Sequence, residues 1–256
     1  MSDWAVILGA SSGIGEACAK ELAAKGINIF GVYLRKPKKH IQKIIQEIES
    51  LGVEVIYKKM SATNEEKRKE AIRDLKSLGN IRVKIFIHSL AFGALKPVIN
   101  PDDKKALNQK NIEMTLDVMG NSLVYWVQDL HKEKLIKKGS QVLSMTSSGG
   151  HRQWESYGAV SMAKACLESA SRQLAFELAG FGIASNAIQA GVTDTPALRK
   201  IPESTKMIEK CISLNPSGRI TKPQDVAHVV SMIGRSEESW LTGNNIRVDG
   251  GEDITG

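Results

Sequence analysis

The stretch "VILGASSGIGEACAKELAAKG", residues 6–26, decides the fold. It opens as an apolar, strand-like run and passes through Gly9, Gly13 and Gly15. It then continues with the spacing of a helix that stops at Gly26. Glycines let the backbone turn tightly and come close to a ligand, and the free N–H groups and dipole of the following helix favour negative charge. Ser11 and Ser12 add hydroxyl donors, and Ile14 sits between the last two glycines. A strand, a glycine turn and a helix in that order predict a cradle for the pyrophosphate of a dinucleotide.

The rest of the chain repeats the alternation. Further strands are expected at "INIFGVYL" (27–34), "VEVIYKK" (53–59), "RVKIFIHSL" (82–90), "SQVLSMTS" (140–147), "ASNAIQAG" (184–191) and "NNIRVDGG" (244–251), with the first at 4–10. Between them, Ile41, Ile44, Ile45, Ile48 and Leu51 follow the i, i+3, i+4, i+7 pattern of a helix with one buried stripe. Gly52 and Gly79 stand where helices stop. Nearly continuous apolar strands alternating with helices predict an α/β fold, a doubly wound, seven-stranded parallel sheet with helices on both faces. One domain over residues 1–256 is expected. Residues 192–216, interrupted by Pro196, Pro202 and Pro216 and with a helical pattern at 203–213, are expected to form a lid over the site.

Composition narrows the function classes. The chain has 256 residues, 42% hydrophobic and 25% charged, enough for a sizeable core. The formal charge of +7 is spread over amphipathic helices such as 35–50 and mixed with glutamates, which argues against nucleic acid. No apolar run reaches the roughly 20 residues of a membrane helix. Cys18, Cys166 and Cys211 are scattered without metal spacing, so no metal is expected. With no basic leader ahead of the first strand, a cytoplasmic location is expected.

The segment "YGAVSMAK" puts Tyr157 and Lys164 seven residues apart, with Ser161 at the nearer position. Seven residues leave a net offset of only ~20° on a helix, so both side chains share one face. Together with the Gly-x3-Gly-x-Gly turn, this pair resembles the short-chain dehydrogenase/reductase family over essentially the whole chain, from Val6 to Gly251. The resemblance implies a Rossmann-type sheet and a nicotinamide cofactor. The Tyr-x6-Lys step resembles the enoyl-acyl-carrier-protein reductases, whereas ketone-reducing members place the lysine four residues after the tyrosine. "HSLAFG", with His88, Ser89 and Leu90 expected at the cofactor, points the same way. So does Met119, which stands where ketone reducers carry a relay asparagine. Thr146 takes the place of the family's catalytic serine, with Ser147 beside it as a second hydroxyl. The second tyrosine of many enoyl reductases is absent; Ser147 or Gln153 stands there, and Trp154 is the nearby aromatic.

The resemblance also sets the cofactor contacts. Arg35 and Lys36 follow the second strand, where an Asp or Glu would meet a free 2′-hydroxyl, so NADPH is expected over NADH. Ser61 and Ala62 are expected at the adenine. In "QAGVTDTPAL", Gly191, Val192, Thr193 and Thr195 are expected at the nicotinamide end, although Gln189 replaces the family's proline. The expected reaction is reduction of an enoyl thioester on acyl carrier protein or coenzyme A in fatty-acid biosynthesis. The alternatives are a 3-oxoacyl or other carbonyl reductase, or a non-catalytic cofactor-binding regulator. A homotetramer is expected through the helices at about 111–137 and 155–179.

Overall fold

The computed structural model describes residues 1–255. All seven expected strands form: β1 Ser2–Leu8, β2 Asn28–Tyr33, β3 Val55–Lys59, β4 Ile81–His88, β5 Gln141–Ser147, β6 Ala184–Ala190 and β7 Asn245–Val248. They pair in parallel in the order β3-β2-β1-β4-β5-β6-β7. The order reverses between β1 and β4, which opens a crevice at the carboxyl ends of those strands.

Both faces of the sheet are buried, and alternation along each strand assigns side chains to one face or the other. Trp4, Val6 and Leu8 of β1 enter a core with Leu75 of α3 (Glu65–Ser77), Trp126 of α5 (Ser122–Lys132) and Leu167 of α6 (Gly158–Leu178). Ala5 and Ile7 enter the opposite core with Cys18 of α1 (Gly13–Ala23), Ile44 of α2 (Lys38–Glu49) and Val230 of α8 (Pro223–Gly234). This is the Rossmann-type, doubly wound arrangement that the alternation predicts. No helix among the described residues is long and apolar enough to cross a membrane.

The expected long helix and the last strand differ most from the sequence reading. The helix expected over 111–137 is divided into α4 (Gln109–Leu116), a π-helical turn (Asp117–Asn121) and α5. At that turn Gly120 packs tightly on α6, where a Cβ would lie 3.2 Å from Cys166 Sγ and 3.3 Å from the Ala163 carbonyl. The last strand ends at Val248, because Gly250 and Gly251 take positive φ and turn the chain back. The expected helix at 203–213 is α7, Ser204–Leu214, preceded by a short 3-10 turn at Leu198–Lys200.

Candidate active site

The carboxyl ends of β1, β4, β5 and β6 open onto one cavity of about 250 Å³. Tyr157, Lys164, Thr146, Ser147, Ile14, Ser89, Leu90, Gly191, Val192, Thr193 and Thr195 all line it. Residues far apart in the sequence therefore line one cavity. Met119 also lines it, while Asn121 faces α6, where Cys166 Sγ donates to it at 3.6 Å. Phe92, Trp154, Leu198, Ile201 and Met207 make the remaining wall largely apolar.

The glycine turn fits a dinucleotide. Gly9 has φ +85° and a Cβ there would lie 2.1 Å from the Ser89 carbonyl oxygen. A Cβ on Gly15 would lie 2.3 Å from the Gly9 carbonyl oxygen. Gly13 abuts the Thr195 side chain, so the turn and the β6 loop meet. Ser12, at the start of α1, is extended and its hydroxyl does not cap the helix, which leaves the first N–H groups for an anion. Ser11 is buried, and its carbonyl accepts from His40 Nε2 at 3.0 Å.

After β2, the exposed guanidinium of Arg35 lies 3.9 Å from the centroid of the ring of Phe92, which lines the cavity. Neither Arg35 nor Lys36 has a salt bridge among the described residues. Ser61 shares a hydrogen bond with Thr63 at 3.1 Å, and the Ala62 carbonyl accepts from Trp126 Nε1 at 2.9 Å.

Tyr157 immediately precedes α6, and Lys164 follows two turns later on the same face. Burial pushes the Tyr157 phenol above its ordinary value, against the opposing influence of Ser147. Neutral phenol therefore dominates at neutral pH. Lys164 donates to the Met145 carbonyl at 2.6 Å. Burial pushes its ammonium down to about 8, with Glu168 acting the other way.

Two expected residues sit differently. Thr146 was expected to act as the family's serine does, but its hydroxyl donates to Glu168 Oε1 at 2.5 Å. Ser147 is the hydroxyl beside Tyr157: a Cβ on Gly149 would lie 2.4 Å from the Tyr157 ring and 3.3 Å from Ser147 Oγ. Ser147 Oγ is buried beside the Tyr157 phenol, whose proton it favours losing, and has no other hydrogen-bond partner among the described residues. Successive strand residues face opposite ways, so a one-residue change in register exchanges the two roles.

His88 was expected at the cofactor, but its side chain is 0% exposed and lies behind the cavity wall. Ser122 Oγ donates to the Val118 carbonyl at 2.8 Å, so His88 Nε2 donates to Ser122 Oγ, also at 2.8 Å. Burial, reinforced by the Lys164 charge, pushes the imidazole down to about 3. The unfolded chain takes up this proton near pH 6.5 while the folded chain resists it to about 3. Stability conferred by neutral His88 is thus complete above pH 6.5 and lost on acidification. Urea denaturation should show stability falling by up to ~1.4 kcal/mol per pH unit between pH 6.5 and 4.5. His88→Leu should flatten that slope; an unchanged slope would assign it elsewhere.

Among the described residues, no group of three His, Cys, Asp or Glu side chains is placed to hold a metal ion. A family model described as "Enoyl-(Acyl carrier protein) reductase" matches residues 9–252. The chain belongs to the short-chain dehydrogenase/reductase family. As a member of that family it is an NAD(P)H-dependent oxidoreductase. It is 28% identical over 247 residues to a 3-oxoacyl-[acyl-carrier-protein] reductase of Thermotoga maritima, covering 96% of each chain. An enoyl-[acyl-carrier-protein] reductase (NADH) from Aquifex aeolicus superposes with a TM-score of 0.85 at 23% identity, over 100% of this chain and 97% of that one. A short-chain dehydrogenase from Burkholderia cenocepacia in complex with NADP superposes with a TM-score of 0.84 at 25% identity, over 98% of both.

Proposed function

We propose that this short-chain dehydrogenase/reductase is an NADPH-dependent enoyl-thioester reductase that acts on acyl chains carried by acyl carrier protein or coenzyme A. The observation that carries this reading is the wall of the cavity itself. Tyr157 and Lys164 share one helical face at the Tyr-x6-Lys step, and Met119 stands in place of a relay asparagine. Residues 1–256 act as one catalytic domain, with 192–216 as the lid that supplies Leu198, Ile201 and Met207 to an acyl chain.

When bound, reduced nicotinamide dinucleotide supplies the hydride that the β-carbon of a 2-enoyl thioester accepts. Tyr157 Oη holds a proton and donates a hydrogen bond to the thioester oxygen, where negative charge develops. Ser147, beside the phenol, is a second donor to the same oxygen. Lys164 turns from the Met145 carbonyl to the ribose hydroxyls and adds positive potential beside the phenol. The glycine turn with Ser11 and Ser12 holds the pyrophosphate, and the N–H groups and hydroxyls of Val192, Thr193 and Thr195 hold the nicotinamide end. Ser61 and Ala62 flank the adenine.

Arg35 and Lys36 favour NADPH by pairing with the 2′-phosphate. Arg35→Gln should raise the NADPH KM roughly ten-fold or more, the worth of a charge-assisted hydrogen bond, and leave the NADH KM unchanged. Equal effects on both cofactors would remove Arg35 from the selectivity.

A second reading, reduction of a 3-oxoacyl thioester, is favoured by the Ser147–Tyr157 juxtaposition and by the name of the Thermotoga relative. NADPH oxidation measured with crotonyl thioester beside acetoacetyl thioester separates the two. The enoyl reading expects turnover of the first; turnover of the second alone overturns it.

A further inference from the structure

The chain's last turn, Glu252–Ile254, lies between the two loops that carry the proposed chemistry. Glu252 is 5% exposed, and its carboxylate accepts from the Val192 N–H at 2.9 and 3.2 Å. The Asp253 side chain is 2% exposed and meets four partners. Arg152 Nε lies at 2.9 Å, Gln189 Nε2 at 2.9 Å, His151 Nε2 at 3.0 Å and Arg247 Nε at 3.2 Å. Arg152 also donates through Nη2 to the Asp253 carbonyl at 2.8 Å and to the Thr255 carbonyl at 3.3 Å. Asp249 shapes the turn by accepting from the Gly251 and Asp253 N–H groups at 2.9 and 3.1 Å.

Two adjacent carboxylates therefore reach two different loops. Glu252 grips the start of the β6–α7 loop, and Asp253 grips His151 and Arg152 in the β5–α6 loop that leads into Tyr157, while its contacts with Gln189 and Arg247 fall on β6 and β7, which are already paired in the sheet. Burial raises the Glu252 carboxyl, against the Val192 N–H. Burial acts the same way on Asp253, but Gln189, His151 and Arg152 outweigh it and hold that carboxyl below its ordinary range. Burying a carboxylate is unfavourable unless it is paired and hydrogen-bonded, and here two consecutive residues meet that condition. β7 is already held by its register with Ala187–Ala190, so the sheet does not require either contact. Gln189, the departure from the family's proline, is one of the Asp253 partners.

We propose that Glu252 and Asp253 are positioning residues acting separately on the two sides of the cavity. Asp253 fixes the loop that ends in Tyr157, and Glu252 fixes the Val192–Thr195 segment. The proposal rests on the functional reading above, in which Tyr157 donates to substrate and Val192–Thr195 meets the cofactor.

The test combines backbone amide exchange, read by mass spectrometry, with steady-state kinetics on NADPH and crotonyl thioester. Asp253→Asn keeps the shape and removes the charge. It should speed exchange in peptides spanning 151–157, leave 191–203 unchanged, and lower kcat roughly ten-fold with the NADPH KM unmoved. Glu252→Gln should do the converse, loosening 191–203 and raising the NADPH KM several-fold with a smaller change in kcat. Arg152→Gln approaches the same link from the solvent side and should reproduce Asp253→Asn even if that variant fails to fold, with Arg152→Lys restoring part of the rate. Both loops loosening together, neither loosening, or kcat and KM moving in step would overturn the proposal. Loop-specific exchange with no thioester turnover would support the anchoring and sink the functional reading. Thioester turnover without loop-specific exchange would do the reverse.

Discussion

Tyr157→Phe should lower turnover of an enoyl thioester by ~10²–10³-fold while NADPH binding stays near wild type. The ring is retained, so packing against Gly149 survives and only the hydroxyl is lost. That hydroxyl, on a half-buried ring, is the neutral donor that the proposal aims at the developing oxyanion, and one such donor in a preorganised site has about this effect. The Ser147 hydroxyl beside the phenol sets the floor. It remains to donate alone, so the loss should stop short of the full catalytic effect, and Ser147→Ala in the same background should deepen it. Single-turnover rates with saturating NADPH provide the measurement. A rate within a few-fold of wild type would remove the phenol from the chemistry.

Gly9→Ala should be the most damaging single methyl in the cofactor crevice. A positive φ costs a non-glycine residue ~1–2 kcal/mol. Overpacking adds ~1–3 kcal/mol. Here the added Cβ would meet the Ser89 carbonyl at 2.1 Å, and Ser89 is itself tied by its N–H to the Leu8 carbonyl at 3.0 Å, so the backbone has little room to yield. Gly26 provides the control. Its φ is +81°, yet nothing lies within 4 Å of an added Cβ. Gly26→Ala should therefore lose only the conformational part and keep its NADPH affinity. Gly9→Ala should lose roughly 2–5 kcal/mol in urea denaturation and fail to quench or enhance NADPH fluorescence. Equal losses at the two positions would mean that the close approach of β1 and β4 loops does not constrain the turn.

The sheet was legible because central parallel strands such as β1 and β4 are nearly continuous apolar runs, while β3 (VIYKK) and β7 (NIRV), half-exposed and charged, were placed by their alternation with helices. The ends were less legible. "VDGG" reads as strand by its first residues, but Gly250 and Gly251 adopt φ values that turn it away from β6. The π-helical turn at Asp117–Asn121 left no mark, since one inserted residue is absorbed by an apolar stripe as broad as that of 112–130.

The glycine turn, Tyr157 and Lys164 could be placed together because each depends on local spacing. Thr146 and Ser147 could not be told apart, because the difference is one step of strand register. His88 is a strand-end residue whose place in "HSLAFG" resembled a cofactor contact, while its fully buried side chain instead pairs with Ser122 across two elements. Glu252, Asp253 and Met207 reach the cavity loops through tertiary contacts. Among the missed residues, only Glu168 had a local signal, as the i+4 neighbour of Lys164 on the same helical face.

Competition between the two substrates tests the central claim most directly. Crotonyl and acetoacetyl thioesters would be offered together with NADPH carrying deuterium at the transferred position, and the products resolved by NMR. Reduction at the carbon–carbon double bond predicts butyryl thioester deuterated at C3 as the principal labelled product. Deuterated 3-hydroxybutyryl thioester alone would contradict the enoyl account and make Tyr157 and Ser147 the carbonyl-reducing pair.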